Sequence, residues 1–129
     1  MEARTEVPIR WRDLDPLGHL NQAVYHELLE EGRGALLSRA QSFPFVLAHV
    51  ELDYRSEVRK DHVSVVVVTS VERIGRTSVT LAERIEHHDG TVAASGRAVL
   101  VAWDIEARES RELTGDERES LSDTPVREG

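Results

Sequence analysis

Cysteine is absent from these 129 residues, which excludes disulfides and thiol nucleophiles and removes the usual structural zinc sites. No apolar run approaches the roughly 20 residues that span a bilayer. The opening MEARTEVPIRW carries no apolar stretch, so no secretory signal is expected and a reducing cytoplasm is the expected location. Basic excess is lacking too. The formal charge of −8 argues against a nucleic-acid module, which needs a clustered basic surface to meet phosphates. Residues 106–129 hold eight acids and four bases, or −4, half of that total. An anionic small molecule therefore stays admissible where basic groups gather locally.

What is present is an ordinary globular mixture, 40% apolar and 31% charged, of a length suited to one domain. That domain is expected over residues 1–123, with 124–129 a frayed tail. Val7, Ile9 and Trp11 alternate with Glu6, Pro8, Arg10 and Arg12, predicting a half-buried strand. Pro16 and Gly18 place Asp13 to His19 in a loop. From Asn21 to about Arg39 the period becomes helical, with Val24, Leu28, Gly32, Ala35 and Leu36 along one stripe and Asn21 as N-cap. Gly32 and Gly34 each weaken that helix by about 1 kcal/mol relative to Ala, a cost explained if the helix packs closely on a sheet.

Beyond Pro44 the pattern is of strands. Val46, Ala48, Val50, Leu52 and Tyr54 alternate with more polar neighbours, and Val63 to Val71 is nearly all β-branched. A turn at Ile74-Gly75-Arg76 leads into Ser78–Glu86, and Asp89-Gly90 signals a hairpin into Thr91–Trp103. Thr114 and Glu117 form a capping-box pattern for a short final helix reaching Leu121. One long helix with a broad antiparallel sheet predicts an α+β domain in which five strands wrap a central helix. The sheet's open edges and face predict pairing with a second copy.

The chemistry lies in Arg10-Trp11-Arg12-Asp13-Leu14-Asp15-Pro16-Leu17-Gly18-His19-Leu20-Asn21-Gln22-Ala23-Val24-Tyr25. It sets two carboxylates in a Pro/Gly loop directly before a helix N-terminus. The first N–H groups of a helix lack intrahelical partners and carry partial positive charge, so they can hold a developing oxyanion. A carboxylate beside them can attack a carbonyl or activate water. A thioester suits so small a kit, because a thiolate leaves without a strong general acid. Gly18 lets the backbone approach a ligand closely.

This segment resembles the signature of the 4-hydroxybenzoyl-CoA thioesterase-like branch of the hotdog superfamily, roughly R-[WF]-x-D-x-D-x-x-G-H-x-N-x-x-x-Y followed by E-x-x-R. Val50–Tyr54, Gly75–Val79, Asp89-Gly90 and Val99–Trp103 fit as well, so the likeness covers about residues 5–122. The resemblance implies the hotdog fold and hydrolysis of an acyl-CoA or acyl-carrier-protein thioester, at a site shared by two subunits of a homodimer or homotetramer. By position, Asp15 is the catalytic carboxylate, nucleophile or general base, and the backbone N–H of Gln22 is the oxyanion donor. Gly18 and His19 shape the loop. Arg76, Thr77 and Ser78 match a turn bordering the pantetheine and nucleotide, often from the neighbouring subunit. Lys60-Asp61 replaces the family's usual Gly-Asp pair, and Arg59 and Lys60 then offer phosphate contacts. No separate cofactor or metal is implied, CoA being part of the substrate. The acyl group is expected in a tunnel whose depth depends on Leu28, Leu36, Phe43, Phe45 and Val50.

Rival roles exist for several of these residues. Asp13 is expected to be structural. A phosphatase of the D-x-D type is excluded, because Arg10 and Arg12 precede the pair, Pro16-Leu17 follows it, and the chain is too short. His26, His49, His62, His87 and His88 show no metal-binding spacing. Glu27, Glu30 and Glu31 are alternative helix carboxylates, expected instead to face solvent or pair with Arg33. The alternative function is a non-catalytic acyl-CoA-binding or sensor module of the same fold.

Overall fold

The Asn21 side chain accepts the Ala23 N–H at 2.9 Å while its own backbone is extended, the geometry of an N-cap. Helix α1, Gln22–Ala40, follows and ends where Gln41 turns left-handed at φ 54°. This is a computed structural model, and it describes residues 1–42 and 44–122. Phe43 and the expected tail at 124–129 lie outside the described residues.

The strands are β1 (Glu2–Pro8), β2 (Phe45–Tyr54), β3 (Ser64–Ile74), β4 (Ser78–Glu86), β5 (Val92–Asp104) and the two-residue β6 (Glu109–Ser110), with α2 at Gly115–Ser122. The antiparallel sheet runs β1-β3-β4-β5-β2, and β6 adds to the end of β5. The expected α+β hotdog arrangement is thus present, one long helix on a broad antiparallel sheet. Val24, Leu28 and Leu36 are buried as the helical stripe predicts. The Thr114–Glu117 capping box is formed in both directions, at 3.1 and 2.9 Å.

Gly32 sits where α1 touches β3. A Cβ there would lie 2.5 Å from the Thr69 hydroxyl and 2.6 Å from a Val67 methyl, so only glycine lets the helix approach this closely. The core divides along the helix. One cluster joins Val24, Leu28 and Leu29 to β1 and β3, and another joins Leu36 and Ala40 to Val79, Leu81, Leu100 and Leu121.

Two strand limits differ from the sequence reading. The first strand ends at Pro8, and Trp11 lies in a short 3-10 turn, 80% exposed. The cause is Asp13, whose carboxylate caps this turn by accepting the Arg10 N–H at 2.8 Å. Val63 is not in β3. It stands exposed at φ 68° after the 3-10 turn Lys60–His62, its carbonyl accepting the Ile9 N–H at 2.8 Å.

Candidate active site

The loop between β1 and α1 is built by its own hydrogen bonds. Asp15 N–H donates to the His19 carbonyl at 2.8 Å and Gly18 N–H to the Asp15 carbonyl at 3.0 Å. Gly18 has φ 82° with open space around it, a conformation that favours glycine. Asn21 N–H donates to the Asp13 carbonyl at 2.7 Å, and Leu20 N–H to the Val58 carbonyl at 2.7 Å. These contacts hold the loop against the start of the helix.

Within it the two aspartates differ. Asp13 is 2% exposed, and the Arg10 guanidinium spans its oxygens at 3.0 and 3.1 Å. Burial pushes the Asp13 carboxyl up, but the Arg10 hydrogen bonds and charge outweigh it and leave the group below the usual carboxylate range. Asp15 accepts the Leu17 and His19 N–H groups on Oδ1 alone, at 2.9 and 3.1 Å. Among the described residues its Oδ2 has no partner. Nor does the Gln22 N–H, the first of the helix, since the N-cap side chain serves Ala23 and the Asn21 carbonyl takes Val24.

Two residues that the sequence left unassigned join the loop. His19 Nε2 lies 2.7 Å from the Glu57 carboxylate, and Glu57 also accepts from Arg59 at 2.8 Å. Tyr25 is buried, its ring edge-on to Tyr54 at 4.9 Å. Burial raises the Tyr25 phenol, and the charges of Tyr54, Asp15 and Glu57 add to the rise.

The residues matched to phosphate and pantetheine contact fall into two groups. Arg59 and Lys60 border the loop, with His19 bridging to Arg59. Arg59 is paired with Asp61 as well as Glu57. Arg76, Thr77 and Ser78 lie at the far end of β3. There Arg76 pairs with Glu112 at 2.8 Å, the Thr77 carbonyl accepts the Ala102 N–H, and the Ser78 carbonyl accepts the Gly75 N–H. Eleven residues of β3 separate the groups, about 35 Å along a strand. A single chain does not bring them together.

Beside α1 runs a groove of about 610 Å³, rimmed by His26, Glu27 and Glu30 and walled by Phe45, Leu47 and Val50. Phe45 and Val50 line this groove, whereas Leu28 and Leu36 are buried beneath the helix. Arg33 does not pair with the helix glutamates. It forms a buried two-bond pair with Glu83 of β4, at 2.6 and 3.0 Å, while Glu27 lies 3.6 Å from Arg10. Among the described residues no group of three or more metal-ligating side chains converges.

With this geometry in place, comparison with known proteins gives a consistent answer. Residues 9–121 match the family described as the thioesterase-like superfamily. The chain is 27% identical over 128 residues to the long-chain acyl-CoA thioesterase FadM of Escherichia coli (strain K12), covering 92% of this chain and 96% of that protein. It is 30% identical to a predicted thioesterase from Bacillus stearothermophilus, with TM-score 0.82 and 94% of each chain covered. A thioesterase from Thermus thermophilus, complexed with coenzyme A and zinc, is 31% identical at TM-score 0.82, covering 92% of this chain and 90% of that one.

Proposed function

This chain belongs to the thioesterase-like superfamily, and from that membership we propose that it hydrolyses acyl-CoA thioesters with Asp15 as its catalytic carboxylate. One observation carries the assignment. The loop tethers Asp15 through Oδ1 and leaves Oδ2 without a partner among the described residues, next to a helix whose first N–H is also unpaired. A carboxylate held in this way is oriented before substrate arrives.

Oδ2 either attacks the thioester carbonyl, forming an anhydride that water opens, or removes a proton from an attacking water. In both routes the carbonyl oxygen takes up negative charge, and the Gln22 N–H with the helix dipole behind it stabilises that charge. The carbon–sulfur bond breaks, and CoA leaves as thiolate and takes a proton. The oxygen of water ends on the acid, or on Asp15 where water opens the anhydride at the aspartyl carbonyl and the acid leaves with Oδ2. His19, held by Glu57, and Gly18 fix the loop that presents Asp15. Arg59 and Lys60 are offered to the phosphates. The Arg59 ion pairs are exposed and cheap to exchange for phosphate contacts.

The separation of Arg59 and Lys60 from Arg76, Thr77 and Ser78 supports a site completed by a second copy, whose Arg76 turn would border the nucleotide. Strand β2 supports the same reading. Among the described residues it pairs only with β5, and Leu47 on it is 49% exposed.

The test is thiol release from a panel of acyl-CoAs, short to long and aliphatic to aromatic, alongside binding of a non-hydrolysable thioether analogue. Turnover on any member supports the hydrolase. Analogue binding with no thiol release on the whole panel would favour the binding or sensor module.

A further inference from the structure

Two glycines interrupt α1, and contact with the sheet accounts for only one of them. Among the described residues a methyl group at Gly34 would meet nothing within 4 Å, yet glycine inside a helix weakens it. Packing among the described residues therefore gives no reason for glycine at this position.

Gly34 and Leu37 border two hollows at once. One is the 610 Å³ groove against Phe45, Leu47 and Val50. The other, about 380 Å³, lies towards the C-terminal end of α1 against Ser38, Gln41 and Ser42. Positions 22, 26, 30, 34 and 37 follow one another at three- or four-residue spacing, so they share one helix face. The head of that face is Gln22, whose N–H is the oxyanion donor of the proposed thioesterase.

Resting on that reading, we propose that this face is the acyl channel and that Gly34 sets chain length. The missing side chain opens the first hollow into the second, so a long unbranched acyl chain can pass. Twelve helix positions from Gln22 to Gly34 span about 18 Å, roughly the length of an extended fourteen-carbon chain. Shorter acyl groups end in the first hollow, and longer ones cross Gly34. The apolar wall suits methylenes, while His26, Glu27 and Glu30 stay at the wet rim.

The experiment compares wild type with Gly34→Leu, which fills the opening, and Gly34→Ala as a control for folding. Gly34→Ala should raise the melting temperature, because its methyl meets open space in a helix. Three readouts are taken on the full chain: kcat/KM for C4 to C18 acyl-CoAs, calorimetric binding of a palmitoyl-CoA thioether, and mass by light scattering. Gly34→Leu should lower the C16-to-C6 ratio of kcat/KM at least tenfold, weaken thioether binding about as much, and leave the mass unchanged. Equal losses at every chain length would overturn the proposal. A changed mass would also overturn it, assigning the face to a second copy. If wild type hydrolyses no acyl-CoA, the hydrolase reading fails by itself and binding decides. Tenfold weaker thioether binding by Gly34→Leu keeps the channel, whereas equal binding, or none by wild type, removes it.

Discussion

At the scale of the residue, Asp13 and Asp15 stand two positions apart in opposite surroundings. Asp13 is buried and saturated by Arg10, so it can neither approach a substrate nor release its hold on the turn. Asp15 keeps one oxygen unengaged among the described residues. The proposed oxyanion donor, the Gln22 N–H, is a backbone group, yet substitution can reach it. Gln22 is the first helical residue, where proline is tolerated because the N–H has no helical partner. Asn21 before it is extended at φ −62° and ψ 136°, as a residue preceding proline must be. Gln22→Pro is expected to preserve the fold by circular dichroism and to lower kcat by about 10²–10³, the range for losing one oxyanion donor. Normal turnover by that variant would move the oxyanion site elsewhere. Asp15, Gly18, His19 and Asn21 were legible in sequence because the loop builds itself from neighbours within a few positions. Glu57 was not, because it reaches His19 from a distant loop and no local spacing announces it.

At the scale of the element, the regular pieces were readable where local chemistry and burial agree. Asn21 caps α1, Gly90 turns at φ 91° between β4 and β5, and Thr114 caps α2. Trp11 misled because alternation continued past the residue where Asp13 bends the chain. Val63 misled because a β-branched residue at positive φ runs against its own preference. The capping box of α2 also has a pH consequence. Hydrogen bonds from Arg111 lower the Glu117 carboxyl from 4.5 to about 2 against the opposing effect of burial, with Thr114, Ser42 and the Arg111 charge assisting. A depressed carboxyl stabilises the fold fully above its unfolded pKa, and that contribution disappears as pH falls through the folded value. Between pH 4.5 and 2 the chain should therefore lose roughly 3 kcal/mol from this group. Denaturant unfolding across that window should show a smaller loss in Glu117→Gln, which starts less stable at neutral pH. An unchanged pH dependence would show that the Arg111 contact is not maintained.

At the scale of the whole molecule, β2 leaves, among the described residues, a row of backbone groups unpaired at one edge of the sheet, as β1 does at the other. Both invite a second copy. Light scattering should accordingly give a mass at least twice the 14.5 kDa of one chain, and a monomer with full activity would refute the shared site. The sequence could indicate that an edge exists. It could not indicate the distance between the Arg59 and Arg76 groups, which depends on the length of β3 and the direction in which the sheet runs.

The most direct test of catalysis by Asp15 is kcat for Asp15→Asn on the best acyl-CoA of the panel, with folding and thioether binding checked in the same preparation. Asparagine keeps an oxygen for the Leu17 and His19 N–H groups but can neither attack nor accept a proton as a carboxylate does. The expected result is a fall of about 10²–10⁴ in kcat with the fold and analogue binding retained. Turnover within a few-fold of wild type would contradict the assignment and place the catalytic carboxylate elsewhere in the chain.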